Sequence, residues 1–437
     1  MSKKSILQKI IAALALAIIH KYKPIIIGIT GSVGKTSTRQ AIFAVLKKKY
    51  RVRTAEKNYN NEIGLPLTIL GISHCGHNVF KWFYALCGVL FSIIVSKYKY
   101  PEILILEYGI DHPGDMDYLL SIAKPNIAVI TAVGDIPVHV DFFKNPEELI
   151  AEKTKLVEAL VADGYAVLNH DDFAVYGMKD QTRASAITFG FENHADLKII
   201  NYKLWTVKDE KSGEVPEGMV FKIENGGDVV PIHLHGAFGI PQVYAATAAA
   251  AVGLVLNMNL VEVSRALEEY VLPPGRLRLL KGIKNSFILD DTYNAAPAAM
   301  RLALDTLKAL PGKRKIAVLG DMLEIGKYSE QAHRAIGDQA AEFVDLLFCV
   351  GPRAKFIANE YRAKIGSRTD LRSVQIFDDS LGTGKALDAM IQGGDLILVK
   401  GSQALRMEKV VEEIMAFPQR AQELLVRQDS YWRQKPA

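Results

Sequence analysis

Short unbroken apolar runs alternate along the chain with longer stretches whose apolar positions repeat every three to four residues, the periodicity of a helix with one buried face. The runs include IIIGIT (from Ile25), ILILE (Ile103 to Glu107), NIAVITAVG (Asn126 to Gly134), GYAVLN (from Gly164), SFILDD, KIAVLGD, LLFCVG and DLILVKG. A strand apolar on both sides belongs in the middle of a parallel sheet covered by helices. Helices are predicted from Ala41 to Lys49, over PEELIAEKTKLVEAL, from Ala245 to Leu256, from Ala298 to Leu310 and from Gln331 to Glu342. Strand and helix in alternation predict open α/β sheets. Between Ile187 and His235 the pattern changes to short strands separated by Gly, Pro and charged turns, which predicts antiparallel structure. The sequence LPPGRLR (Leu272 to Arg278) interrupts the pattern and marks a boundary, beyond which a second parallel sheet is expected.

Two apolar segments stand outside this alternation. IIAALALAII (Ile10 to Ile19) follows Lys3 and Lys4, and FYALCGVLFSIIV (Phe83 to Val95) lies between Lys81 and Lys97. A spanning helix needs roughly 20 apolar residues, and neither segment has them. The first resembles the apolar part of a signal peptide, but the strand at Ile25 follows too closely to leave a cleavage site. Two readings stay open: helices packed on the protein, or an interfacial pair lying on a membrane, which the flanking lysines and Trp82 favour.

At 437 residues the chain is too long for one core and predicts two or three domains. Its net charge of +5 is mild and no Lys/Arg block is interleaved with aromatics, which argues against nucleic acid as a partner. Phosphate-bearing or carboxylate substrates fit better. Cys75, Cys87 and Cys349 have no metal-ligand spacing, which points to a reducing compartment.

The chemistry centres on PIIIGITGSVGKTST, residues 24 to 38. Strand, glycine-spaced loop and helix start in that order make a phosphate cradle: Gly31 and Gly34 let backbone N–H groups close on phosphate oxygens at a helix N-terminus. Lys35 supplies a charge for the β- and γ-phosphates, and the Thr36 hydroxyl is placed for Mg²⁺. The loop departs from GxxxxGK[ST], since Ile29 stands at the first glycine position. Glu107 closes an apolar strand, where open α/β sheets bind ligands, and is a Mg²⁺-ligand candidate. The loop after Asn126 to Gly134 holds Asp135, His139 and Asp141, with His139 a candidate for metal or phosphate. A polar cluster of Asn58, Asn60, Asn61 and Glu62 feeds an apolar helix, and AEKTKL places Lys153 and Lys155 on an amphipathic one.

Taken together, TGSVGKTST, NYNNEIGLPLTIL, ILEYGIDHPGDM, GYAVLNHDD, GRLRLL, DDTYNAAPAAM, VLGDMLEIG followed by His333, and LVKGSQALRME resemble the Mur ligases over residues 24 to about 412, and most of all the branch that adds D-alanyl-D-alanine. The resemblance implies a P-loop-type ATPase domain with a mostly parallel sheet (25–272, carrying a helical insertion at about 73–100) and a C-terminal Rossmann-like α/β domain (273–437), after an N-terminal apolar helix (1–24). It implies an ATP- and Mg²⁺-dependent amide-bond ligase that phosphorylates a carboxylate and lets an amine attack the acyl phosphate. The partners implied are a carboxylate-bearing cell-wall precursor and an amino acid or dipeptide amine, met by a cytoplasmic monomer, at the inner face of the membrane if residues 5–20 and 79–96 lie on it.

By the same resemblance Gly31, Ser32, Gly34, Lys35, Thr36, Ser37, Arg276, Asn294 and Asp321 contact ATP; Thr36 and Glu107 hold one Mg²⁺; and His139 and a carbamylated Lys153 support a second. Lys35, His139 and Lys153 are the catalytic candidates. Departures from the family pattern are Ala132 for Asn, a longer GDIPVH loop, Pro241 and Gln242 for His and Asn, Ala296 in YNAAP and Gln403 in KGSQ. Only about 24 residues precede the phosphate loop, where relatives carry a uridine-nucleotide domain. Two alternatives follow: the same chemistry on a lipid-linked or polymeric carboxylate, or a nucleotide-binding scaffold without catalysis.

Overall fold

The structure, a computed structural model, describes residues 3–55, 59–76, 78–95, 99–134, 139–209, 213–366 and 372–434. Asn58, Lys97 and Asp135, singled out above, lie outside the described residues. After helix α1 (Lys3–Tyr22), strand β1 (Ile25–Thr30) runs into α2 (Lys35–Leu46), and then come β2 (Val52–Thr54), α3 (Gly64–Leu70), α4 (Val79–Ile94), β3 (Ile103–Glu107), α5 (Asp115–Ile122), β4 (Ile127–Ile130), α6 (Pro146–Glu158) and β5 (Tyr165–Asn169). The one-turn helix α7 (Phe173–Tyr176) precedes β6 (Ser185–Gly190), β7 (Leu197–Asp209), β8 (Gly213–Asn225) and β9 (Asp228–His235), and α8 (Ile240–Val255) and α9 (Leu260–Leu267) end this half.

These strands form one sheet in the order β2-β3-β1-β4-β5-β6-β7-β8-β9, parallel from β2 through β7 and antiparallel across β7, β8 and β9. The central register sets Ile27 beside Ile105 and Ile127. Successive side chains point to opposite faces, so Ile27, Ile29, Ile103 and Ile105 pack with α2 and α8, while Ile26, Leu104 and Leu106 pack with α1, α3, α5 and α6. Both faces are thereby covered, which is why the strands are apolar throughout. The segment from Ile187 to His235 differs from its expected form: β6 is parallel, and β7 and β8 are long strands, Pro216 being accommodated where the register shifts after Trp205.

The second sheet has the order β10-β11-β15-β12-β13-β14, all parallel except its edge strand β10 (Arg278–Lys281). Its elements are β11 (Phe287–Asp291), α10 (Pro297–Ala309), β12 (Lys315–Gly320), α11 (Ser329–Ala341), β13 (Leu346–Val350), α12 (Lys355–Ile365), β14 (Ser373–Phe377), α13 (Ser380–Met390), β15 (Leu396–Lys400) and α14 (Glu408–Ile414). The core beneath α8 continues without a break into this half through Leu277, Leu289, Met300 and Leu304. Both apolar segments that stood outside the alternation are helices, α1 and α4, and they pack together. Among the described residues no helix is long and apolar enough to cross a membrane.

Candidate active site

The phosphate loop is shaped by its glycines and tied to the next strand end. Gly31 has φ +143, and a Cβ there would stand 2.2 Å from Thr131 Oγ1, so no other residue fits. Gly34 caps α2 in the left-handed region, φ +91. The Ser32 and Val33 amides donate to the Ala132 carbonyl at 2.6 and 3.2 Å, and the Thr131 hydroxyl donates to the Val33 carbonyl at 2.6 Å. The loop is anchored on the backbone of residue 132, so alanine in place of the family's Asn leaves this anchorage intact.

Lys35 begins α2, and its Nζ donates to the Gly31 carbonyl at 2.6 Å. Desolvation pushes the Lys35 ammonium pKa down, Glu107 opposes the fall and Arg276 adds to it. At the next residue, Thr36 Oγ1 stands 3.4 Å from Glu107 Oε2. Arg276 Nη2, from the other domain, donates to the same hydroxyl at 3.2 Å, while its guanidinium lies 3.9 Å from the centre of the Tyr293 ring. Glu107, 3% exposed, sets its second oxygen 3.1 Å from Arg39 Nε on α2, which balances the carboxylate as it leaves water.

Lys153, 2% exposed on α6, reaches under the loop from the opposite side, its Nζ 3.4 Å from the same Gly31 carbonyl that Lys35 engages. Burial first, and then the Lys35 charge, lower the Lys153 pKa from 10.5 to about 7, so much of its amine is neutral at ordinary pH. The α6 helix is fixed by Glu152, which accepts the amides of Gly114 and Met116 at 3.0 Å each.

His139 bridges the two domains. In the left-handed conformation, φ 71, it places Nδ1 2.7 Å from Glu324 Oε2 and Nε2 3.3 Å from Asp111 Oδ1. The hydrogen bond from His139 holds the Glu324 carboxyl below its ordinary pKa. On the C-terminal wall, Lys400 Nζ pairs with Asp291 at 2.6 Å and donates to the Asn294 carbonyl at 3.0 Å, and Asn294 Oδ1 accepts the Ala295 amide at 2.9 Å. The loop carrying Arg276 is held from beneath, since Gly275 N donates to Asp290 and Leu277 N to Asp291 at 3.1 and 3.2 Å. Gln242 on α8 ties this loop to α2: its amide donates to the Arg276 carbonyl at 3.2 Å and to the Ser37 hydroxyl at 3.4 Å, and it accepts the Tyr270 hydroxyl at 2.9 Å.

A cavity of about 610 Å³ opens between the domains. Ser32, Gly34, Lys35, Thr36, Ser37, Glu107, His139, Arg276 and Asn294 line it, together with Asp111, Glu324 and Lys400, to which sequence reasoning gave no role. Gly31, Lys153 and Asp321 are outside the lining. Gly31 and Lys153 stand just behind it, whereas Asp321 accepts the amides of Arg353 and Ala354 at 2.9 and 2.7 Å and so organises the approach to α12. His333 is buried by the same loop, accepting the Met322 amide at 2.9 Å and donating through Nδ1 to the Ser329 carbonyl at 2.7 Å.

Among the described residues no group of three or more His, Cys, Asp or Glu is arranged to hold a metal. Magnesium needs less from the protein, one or two oxygens, when phosphates and waters complete its shell. The Thr36 hydroxyl and the Glu107 carboxylate, neighbouring oxygens beside the phosphate loop, fit that requirement.

Comparison with known proteins agrees with this arrangement. The family described as "Mur ligase middle domain" matches residues 29–81 and 85–252, and "Mur ligase, glutamate ligase domain" matches 275–403. A Bacillus subtilis protein, UDP-N-acetylmuramoyl-tripeptide--D-alanyl-D-alanine ligase, is 28% identical over 407 residues, 93% of this chain and 79% of its own. The Mycobacterium leprae protein of the same name is 30% identical, covering 89% of this chain and 73% of its own. The MurF ligase of Thermotoga maritima, solved in complex with ADP, superposes with a TM-score of 0.73 at 24% identity, over 93% of this chain and 83% of that one.

Proposed function

Starting from the Mur ligase family, to which this chain belongs, we propose that it is an ATP-dependent amide-bond ligase joining D-alanyl-D-alanine to the carboxylate of a UDP-MurNAc-tripeptide, as the names of its relatives indicate. A carboxylate is a poor electrophile. Transfer of the γ-phosphoryl group to it, with ADP leaving, gives an acyl phosphate, and the amine of the dipeptide then attacks the carbonyl carbon and expels phosphate. The protein's contribution is positioning and charge neutralisation. Lys35 and the loop amides hold the triphosphate; Arg276 and Asn294 meet it from the other domain. Thr36 and Glu107 would hold Mg²⁺, which when bound would supply charge neutralisation to the triphosphate. The observation that carries this reading is the convergence of Lys35, Thr36 and Glu107 with Arg276 on one cleft wall.

In this reading His139 and Lys153, the latter as a carbamate, would serve a second Mg²⁺. A neutral lysine amine adds to CO₂, forming an N–C bond and releasing a proton, which turns a cation into an anionic oxygen ligand. The depressed pKa of Lys153 supports that step, because only the unprotonated amine reacts. Lys153→Ala should lose activity and regain part of it with added short-chain carboxylic acids; absence of rescue contradicts the carbamate.

Phosphate release measured with UDP-MurNAc-tripeptide, D-alanyl-D-alanine and ATP tests the whole reading. Release requiring both co-substrates supports it. Release only with another carboxylate reassigns the acceptor, and ATP binding without amine-dependent release points to a scaffold. The enzyme is taken to act as a monomer in the cytoplasm, a reducing compartment that suits its three free thiols, Cys75, Cys87 and Cys349.

A further inference from the structure

The helix pair α1 and α4 presents an apolar surface that the ligase reading does not use. On α4 one face is inward: Trp82 and Val89 are buried, and Leu86 and Ile93 pack beside them against the core. The opposite face holds Phe80 (76% exposed), Phe83 (62%), Tyr84, Leu90, Phe91 (68%) and Ile94 (79%), spaced as one helical stripe. On α1, Ile6, Ile10 and Leu16 are exposed on one side while Ile11, Ala15 and Ile18 are buried on the other. The pair is held together at one end, where Tyr22 Oη donates to the Ser92 carbonyl at 2.6 Å and Lys21 Nζ to the Ile93 carbonyl.

Along the two helices themselves the charge has one sign. No Asp or Glu precedes Glu56 in the sequence, and none occurs between Glu62 and Glu102, whereas Lys9, Lys21, Lys23, Lys81 and Lys99 are all exposed. We infer that the outward face of α1 and α4 is a docking surface for an anionic lipid bilayer. Phe and Tyr side chains beside lysines match the boundary between acyl chains and headgroups. A second copy is the less fitting occupant, because a two-fold contact would set the same lysines against themselves. Lying on the surface suffices, since neither helix is able to span. Helix α1 is also linked to the segment that lines the cleft: Gln8 donates to Glu62 at 3.2 Å, and Asn60, two residues before Glu62, lines the cavity.

Flotation of the full chain with phosphatidylcholine vesicles, with and without phosphatidylglycerol, tests this without reference to catalysis. Binding to the anionic vesicles is expected, falling as salt is raised. The exposed-ring variant Phe80→Ser/Phe83→Ser/Phe91→Ser should lose about tenfold or more of the bound fraction while keeping the wild-type melting temperature. Lys9→Glu/Lys81→Glu should weaken binding to anionic vesicles alone. The inference is overturned if the wild type floats with neither vesicle, if the serine variant floats as well as wild type, or if sedimentation shows a dimer that the serine changes dissolve while vesicles are ignored.

Discussion

The middle-domain wall of the cleft carries its groups on one loop and beside the neighbouring strand ends, whereas the C-terminal wall gathers Arg276, Asn294 and Glu324 from three separate connections and Lys400 from the end of β15. The first wall is held by its own backbone, through Gly31, Ala132 and Thr131. The second is held by carboxylates placed behind it: Asp290 and Asp291 fix the Arg276 loop, and Asp321 organises a neighbouring one. Each wall also buries an ionisable group whose charged form burial disfavours. Burial draws the Lys153 pKa down to about 7 and pushes that of Asp290 up to about 6. The lesson is that a phosphate site made within one loop needs only its partner wall to be brought up, and the mutational effects should divide accordingly.

The largest effect is expected at the first wall. Lys35→Ala removes the cation that begins α2 at the phosphate loop and should lower kcat by about a thousandfold with the fold intact, read by ADP release and thermal melting. Across the cleft, Arg276→Ala should cost about a hundredfold, and Arg276→Lys should recover little, because the ammonium replaces neither the stacking on Tyr293 nor the planar contact to Thr36. Equal losses at both positions would erase the distinction between the walls.

Asp321→Asn should behave differently from either. It weakens the carboxylate that accepts two loop amides, so a stability loss of about 1–2 kcal/mol is expected in denaturant melts, with nucleotide affinity nearly unchanged. A large fall in ATP affinity with normal stability would return Asp321 to the nucleotide site. The smallest effect is a slope. Asp290 binds its proton more tightly folded (pKa about 6) than at the ordinary value of 3.8, so the folded state holds the extra proton between those values. Its contribution to stability is therefore fully present below pH 3.8 and is lost as pH rises through 6, at up to about 1.4 kcal/mol per pH unit. Relative to Asp290→Asn, the wild type should lose stability over that window; a parallel pair of curves would contradict the shift.

The same contrast governs what was legible in the sequence. The phosphate loop could be read because its chemistry is local: glycine, lysine and threonine act within one turn of each other, and the strand before them is apolar on both faces. Glu107 was legible from its place at a strand end. Asp111 and Glu324 were not, since their meeting at His139 depends on docking two domains whose residues are far apart in the chain. Gln242 shows the same limit. It departs from the family residue, and only the fold reveals that it joins the Arg276 loop to Tyr270. Asp321 illustrates the converse, a position that resemblance assigns to nucleotide while its oxygen meets backbone amides. In the antiparallel region, glycines and Pro216 suggested short strands, but a register shift absorbs the proline and the strands run on.

The central claim is that this cleft makes a carboxylate reactive by phosphorylating it. Hydroxylamine trapping measures that directly, because an acyl phosphate is converted to a hydroxamate before any amine substrate is supplied. Wild-type protein with ATP, Mg²⁺ and UDP-MurNAc-tripeptide should yield hydroxamate in step with ADP, and Lys35→Ala should yield none. ADP formed with no hydroxamate, while the carboxylate is bound and the amine absent, would contradict the account.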